Sequence, residues 1–448
     1  MMTKNPREIA IKILKEIDEE KAYSNIAITR NINKELSVLD ESFVREIVYG
    51  VVENKLLIDW VISKFSNIKI KKVSPIILEI LRIGIYQIMF MDRIPDSAAV
   101  NESVKLAKKY GHKGSISYVN ALLRNISKNK ANIKFPDKNS NPAEYLSIKY
   151  SHPKWMIEKW IRDFGVVFTE ELCIANNKKP KLNIRVNTLK INKQDLMSKL
   201  QKKGFVVSEG KYAEDCIMID NPIRITDIDE FKEGLFQIQD ESSMLVAQIM
   251  DPKPGDFVVD VCSAPGGKTT HIAQRMNNSG RIIARDIHQH KLELIESNTK
   301  RLGINIVELE KYDALELDKE LIDRVDCCLV DAPCSGLGLI RRKPDIKWNK
   351  DKDDLLKITE LQYKILTNSS KYVKKGGILI YSTCTIQREE NIDLTDRFLK
   401  ENPNFTLKGF ENLINNNELK KLAKNGYIEL YPNINDTDGF FIAKMIKI

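Results

Sequence analysis

Residues 257–270 read FVVDVCSAPGGKTT: an apolar run, a proline, a glycine pair, a lysine and two threonines. The pattern predicts a strand, a tight turn and a helix start. Two familiar nucleotide sites share that outline, and neither fits. A triphosphate loop needs G-x-x-x-x-G-K-[ST]. Counted back from Gly267-Lys268-Thr269, its first glycine falls at position 262, which is Cys262. A dinucleotide fold wants G-x-G-x-x-G, and the stretch lacks it. What remains is a turn whose glycines let backbone approach a nucleoside and whose helix start offers free N–H groups.

Outward from this stretch, apolar strands recur at FVVDV, RIIARD, NIVELEKYD, VDCCLVDAP and GGILIYSTC, most of them separated by helical patterns. That rhythm predicts a parallel sheet covered on both faces. Two last runs, YIELYP and GFFIAKMIK, suit an antiparallel pair at the sheet edge. Asp286 follows the second strand, where a carboxylate can accept from ribose hydroxyls. Asp313 ends the third, within reach of a base amino group. The segments DAPCSGLG (331–338) and YSTCTIQREEN (381–391) each place a cysteine just beyond an apolar strand. Cys327 and Cys328, inside a strand, read as small core hydrophobes. Cys334 and Cys384 fall in turns at the crevice, and two thiols over one nucleoside pocket suggest nucleophilic catalysis.

Upstream, PREIAIKILKEIDEE carries Ile9, Ile13 and Ile17 at helical spacing, and further long periodic runs follow, one of them opened by Ser74-Pro75. Residues 1–132 therefore predict an all-helical domain. NIKFPDKNSNPAEYL reads as a linker. Residues 145–240 alternate a helix (HPKWMIEKWIRDFG), a strand (KLNIRVNTL), a helix (NKQDLMSKLQKKG) and a strand (CIMIDNP), a small α+β unit; residues 241–448 hold the sheet.

A chain of 448 residues, 42% apolar and 30% charged, is a globular protein of a few domains. No apolar run reaches the roughly 18 residues of a membrane span, and the first twenty residues lack the continuous apolar centre of a secretory signal. Seven scattered cysteines argue against a disulfide framework and for a reduced, cytoplasmic setting. Without paired CxxC motifs and with five histidines, no metal site is expected. The net charge of +9 suits a polyanionic partner, although a Lys-, Ile- and Asn-rich composition alone gives the same balance.

Taken together, these motifs resemble the S-adenosylmethionine-dependent RNA cytosine-C5 methyltransferases of the NOL1/NOP2/Sun family, and most closely its bacterial small-subunit ribosomal branch. DVCSAPGGKTTHIA is similar to that family's cofactor loop, DAPCSGLG to its Pro-Cys motif and STCTIQREEN to its Thr-Cys motif. IRRKPDIKW (340–348), GLFQIQDESSMLVAQIMDPKPGD and DTDGFFIAKM extend the likeness. AAVNESVKLAKKYG and YVNALLRNI resemble the helical RNA-binding NusB fold. KLNIRVNT, with Arg185 and Asn187, resembles the small domain that precedes the catalytic one. Arg285, before the ribose acid, departs from the pattern, since a small or apolar residue is usual there, and the NusB-like part matches by pattern more than by sharp motif.

The resemblance implies an α/β Rossmann-like methyltransferase domain preceded by an all-α NusB-like domain and a small α+β domain like an RNA recognition motif. It implies S-adenosylmethionine held by Cys262, Ser263, Ala264, Pro265, Gly266, Gly267, Lys268, Asp286, Asp313 and Asp331. Cys384 is the implied nucleophile and Cys334 the residue for product release. By the same resemblance Asp331 is expected to contact cofactor or target base, and Lys268 to help orient the cytosine. The implied substrate is 16S ribosomal RNA and the implied state a cytoplasmic monomer. Lys69–Lys72, Lys105, Lys108, Lys109 and Arg124 are candidate backbone contacts. Two other readings stay open at this point: the same chemistry on transfer RNA, and a non-catalytic RNA-binding assembly factor.

Overall fold

The computed structural model describes residues 5–20, 22–32, 36–220, 222 and 224–448. The isoleucine stripe forms the helix Pro6–Glu20, with Ile9, Ile13 and Ile17 all buried. Helices Ser24–Asn31, Val38–Glu53, Lys55–Phe65, Pro75–Phe90, Asp96–Tyr110 and Lys113–Asn129 follow. Their core includes Ile47, Ile58, Ile80 and Leu123. The apolar run 42–65 is interrupted at Asn54, whose amide folds back to donate to the Gly50 carbonyl at 3.0 Å. Pro75 opens its helix as the Ser-Pro pair predicts.

The stretch read as a linker departs from that expectation. A helix, Pro142–Lys149, begins inside it: the Asn141 side chain accepts from the Glu144 N–H at 3.1 Å, and proline takes the first turn. Phe135 stacks on Trp60 with centroids 5.4 Å apart. Helices Lys154–Phe164 and Val166–Asn176 come next.

The chain divides into two compact units, Met1–Lys178 with Ile340–Asn349, and Lys179–Leu339 with Lys350–Ile448. Residues 340–349, most of which were quoted above as IRRKPDIKW, thus pack in the helical unit. The indole of Trp348 donates to the Val52 carbonyl and the buried Lys347 amine to that of Glu53, each at 2.8 Å. These bonds satisfy the carbonyl end of the helix Val38–Glu53.

The second unit holds two sheets. The smaller is antiparallel, in the order β2-β3-β1-β4, with β1 Leu182–Val186, β2 Val207–Glu209, β3 Cys216–Ile219 and β4 Phe236–Ile238. Ile184 and Val186 pack with Leu196, Leu200 and Phe236 on one face. Alternation sends Asn183 and Arg185 to the other, where they are also buried.

The larger sheet comprises β5 Phe257–Asp260, β6 Arg281–Asp286, β7 Val307–Lys311, β8 Val325–Asp331, β9 Val373–Thr383, β10 Phe405–Leu407, β11 Tyr427–Leu430 and β12 Phe440–Lys447. Its order is β10-β12-β9-β8-β5-β6-β7, with β11 on β12. The five strands β9 to β7 are parallel, and β12 is antiparallel to β9 and β11, as the closing runs predict. Successive residues feed opposite cores. Val258, Ile282, Cys327 and Ile380 face one side with Leu245 and Met276; Val259, Ile283, Cys328 and Leu379 face the other with Leu366 and Phe398. The chain runs outward from β5 through β6 to β7, then returns to β8 beside β5. That reversal is the topological switch point, where such sheets open a crevice at their carboxyl ends.

Candidate active site

The cofactor-loop, Pro-Cys and Thr-Cys segments and the acids Asp286 and Asp313 lie at this carboxyl edge. After β5 the loop turns through a cis Ala264–Pro265 peptide and Gly266, whose φ is +94°. That value favours glycine, and a Cβ there would come 3.0 Å from Ile295. Ser263 anchors the loop to β6: its N–H and hydroxyl both donate to the Arg285 carbonyl, at 2.9 and 2.8 Å. The Asn298 amide donates to the Pro265 carbonyl at 3.0 Å. The helix Gly267–Arg275 then starts, and a Cβ on Gly267 would meet nothing nearer than 3.7 Å. Cys262 is half-buried, and burial pushes its thiol well above the ordinary range.

The β1 face supports the loop from below. Buried Arg185 donates to the Gly267 carbonyl at 2.6 Å and to the Thr270 hydroxyl at 3.0 Å, and also to Gln239. Asn187 donates to the Gly234 and Leu302 carbonyls at 2.8 and 2.9 Å. Asp286 closes β6, accepts from the His288 N–H at 2.9 Å and is 8% exposed. Asp313 stands two residues past β7 and accepts from the Leu315 N–H at 2.9 Å. Tyr312 beside it donates its N–H to the Asp286 carbonyl at 3.2 Å, which sets the two acids at the ends of neighbouring strands. Arg285 is explained by its neighbours. It pairs with Glu310 at 2.8 Å and Asp318 at 2.5 Å, and stacks 4.1 Å over Tyr312. Its charge is therefore spent away from Asp286.

Asp331 closes β8 and collects two donors: the Lys268 amine at 2.7 Å and the Ser382 hydroxyl at 2.8 Å. Burial works to lower the Lys268 pKa, but the Asp331 carboxylate outweighs it and holds the ammonium above its usual range. The amine also lies 5.3 Å over the Phe440 ring. Deeper in, Asp260 accepts from the Thr269 hydroxyl at 2.7 Å; burial raises its pKa to about 7.

Beyond β8 and β9 the two cysteine turns meet. Cys334 Sγ lies 3.1 Å from Cys384 Sγ, and both thiols are free and half-buried. The Cys334 pKa is pushed well above its usual value, first by the hydrogen bond with Cys384 and then by burial. Gly338 donates to the Cys384 carbonyl at 3.1 Å, and Gly439 donates to the Gly338 carbonyl at 2.9 Å. The sequence reading did not single out Ser382, Gly338, Gly439, Gln362 or Glu390 as site residues. Glu390 sits in the quoted YSTCTIQREEN, but nothing in the pattern says that it is buried while Glu389 is exposed.

The set fits a nucleoside methyl donor. A glycine turn open toward the crevice, a helix start and two carboxylates at adjacent strand ends supply the donors and acceptors that ribose and adenine require.

Residues 247–446 match the family described as 16S rRNA methyltransferase RsmB/F. Residues 4–128 match the NusB family, and 152–226 the ferredoxin-like domain of RsmF/B-like methyltransferases. A probable ribosomal RNA small subunit methyltransferase B of Bacillus subtilis (strain 168) is 38% identical over 447 residues, 98% of each chain. The crystal structure of PH0851 superposes with a TM-score of 0.81 over 100% of both chains at 28% identity. A methyltransferase homolog protein from Pyrococcus horikoshii covers 68% of this chain and 98% of its own, at 33% identity and a TM-score of 0.58. Among the described residues no helix is long and apolar enough to cross a membrane. The switch-point crevice, the paired thiols and a full-length relative converge: the chain belongs to the RsmB/F family of S-adenosylmethionine-dependent 16S rRNA methyltransferases.

Proposed function

We propose that the protein forms 5-methylcytosine in 16S ribosomal RNA through a covalent adduct between Cys384 and C6 of the target base. The observation that carries this reading is the Cys334–Cys384 contact of 3.1 Å beside the Lys268–Asp331 pair. Cytosine C5 is a poor nucleophile. Addition of the Cys384 thiolate to C6 breaks the 5,6 double bond and moves electron density to C5. S-adenosylmethionine, when bound, would supply an electrophilic methyl group to C5 and leave as S-adenosylhomocysteine as its sulfur–methyl bond breaks. Once C5 carries the methyl, the C5 proton goes to a base, the 5,6 double bond re-forms and the C6–sulfur bond breaks, and the departing Cys384 sulfur leaves as a thiolate or takes a proton from a neighbouring donor. Cys334, hydrogen-bonded to Cys384, assists that release.

Residues 262–268, Asp286, Asp313 and Asp331 hold the cofactor. Asp331 and Lys268 contact the cytosine, the lysine as a charged donor that its partner keeps protonated. The helical part, 1–132, and the α+β part, 145–240, bind RNA, and residues 241–448 form the catalytic part. Exposed Lys69, Lys71 and Lys72 suit phosphate contacts. Lys105 and Lys109 suit them less well, each being paired with a glutamate, Glu102 at 2.7 Å and Glu8 at 2.8 Å. The protein acts as a cytoplasmic monomer on a base splayed out of its stack.

The test is methyl transfer from labelled S-adenosylmethionine to small-subunit RNA, followed by bisulfite mapping. A single protected cytosine, lost in a strain without the protein, is expected. Label on any atom other than a cytosine C5 overturns the reading.

A further inference from the structure

Glu390 is buried in the short turn Arg388–Glu390, while its neighbour Glu389 is exposed. Its Oε2 accepts from the Ser335 N–H and from the Gln362 amide, both at 2.9 Å, and its Oε1 from the Thr385 hydroxyl at 3.4 Å. Ser335 follows Cys334 and Thr385 follows Cys384, and the two hydroxyls bond each other at 2.8 Å. One carboxylate therefore touches the residue after each cysteine. The same Gln362 amide donates its second hydrogen to the Pro333 carbonyl at 2.9 Å, just before Cys334. Tyr381 donates to the Glu390 carbonyl at 2.7 Å, and Asn391 ties Thr383 and Thr385 at 2.6 and 3.0 Å.

A buried carboxyl is costly unless its lone pairs are used, and here both oxygens are. Burial raises the Glu390 pKa, and the bonds from Ser335, Gln362 and Thr385 oppose that rise. A group merely filling space needs no such set. The bonds run instead to both cysteine turns, which are 50 residues apart in the chain.

We propose that Glu390 is a positioning residue: its carboxylate clamps the Pro333–Ser335 and Thr383–Thr385 turns together and so fixes the distance between the Cys334 and Cys384 sulfurs. The proposal rests on the reading of those thiols given above only for its effect on turnover; the clamp itself is a matter of spacing. Gln362 acts in the same clamp. Glutamine at 390 keeps an oxygen for Ser335 and Gln362, and turns an N–H toward the Thr385 hydroxyl, which can accept. Alanine removes every bond.

The experiment uses full-length protein and two readouts. The first is the rate at which diamide joins Cys334 to Cys384, followed by mass spectrometry of the intact chain. Two thiol hydrogens pass to the N=N bond of diamide and one S–S bond forms. The second is methyl transfer with detection of SDS-resistant protein–RNA adduct. Glu390→Ala is expected to slow the cross-link at least tenfold and to lower kcat at least tenfold, with adduct accumulating and affinity for the methyl donor unchanged. Glu390→Gln is expected to recover most of both rates. If Glu390→Ala does not fold, Gln362→Met, which removes both amide donors in a similar volume, is expected to slow the cross-link in its place. Wild-type cross-linking in folded Glu390→Ala or Gln362→Met overturns the clamp, as does a Glu390→Gln protein as impaired as Glu390→Ala. A methylating Cys384→Ala protein would instead overturn the thiol chemistry and leave the cross-linking result standing.

Discussion

Cys334 and Cys384 bring their sulfur atoms to 3.1 Å from turns at the ends of two adjacent parallel strands, β8 and β9. A thiol that shares a hydrogen bond with a second sulfur can donate to it when that sulfur leaves a carbon centre. Cys384→Ala is therefore expected to abolish methyl transfer, since no other group can form the covalent intermediate, with binding of the methyl donor retained. Cys334→Ala is expected to stall after methylation and give an RNA adduct visible on a denaturing gel. The reverse pattern, an active Cys384→Ala and an inactive, adduct-free Cys334→Ala, would exchange the two roles.

Much of this edge was legible before the structure, because chemistry at a strand end leaves a local signature. FVVDVCSAPGG fails two glycine motifs by countable positions, and an acid after each apolar run needs only alternating strands to be placed. The contacts that were not legible are long-range. Ser382 reaches Asp331 across a strand pair, and Gly338 meets Gly439 over a hundred residues of chain. No periodicity encodes either pairing. The linker reading failed at Pro142, since Asn-Pro is equally a turn signal and a helix start. The packing of Trp348 on the Val52 carbonyl likewise depends on which helix end lacks a donor.

The Lys268–Asp331 pair gives a second prediction. Its side chains are 15% and 25% exposed, so removing either partner leaves a poorly solvated charge. Lys268→Met and Asp331→Asn are each expected to lose methyl transfer by about 100-fold, within the usual range for a positioned proton-transfer or charge-stabilising group. The double variant is expected to be less unstable than the two single losses added, with a coupling of about 1–3 kcal/mol in a denaturant cycle. Strict additivity in stability would show that the two groups act independently.

Close approach at Gly338 gives a third. A Cβ there would lie 2.0 Å from the Gly439 carbonyl oxygen and 2.8 Å from that of Cys384. Backbone must move to admit it. Gly338→Ala is expected to lose about 1–3 kcal/mol of stability, the ordinary cost of overpacking, and to lose methyl transfer beyond what the stability change explains, because one displaced carbonyl belongs to Cys384. A fully active variant would show that the Cys384 turn tolerates displacement.

His271 gives the fourth, a pH dependence of stability. The ring is buried, and its Nε2 faces the Asp215 carboxylate at 3.0 Å. With Nε2 donating there, Nδ1 is the nitrogen that would take a proton, and it is buried without a hydrogen-bond partner. Burial, opposed by Asp215 and reinforced by Arg185, lowers the pKa to about 4. The unfolded chain, with an ordinary histidine near 6.5, binds the proton first. Stability contributed by the neutral ring is thus complete above about pH 6.5 and is lost as the pH falls toward 4. By pH 5 the loss from this group is about 2 kcal/mol. Glutamine at 271 keeps a donor for Asp215 and cannot titrate. The difference in unfolding free energy between wild type and His271→Gln is therefore expected to shift by about that amount in favour of the variant between pH 8 and pH 5. Measured by urea denaturation across that range, a difference that does not change with pH would mean that the imidazole carries its proton in the folded protein as readily as in the unfolded one.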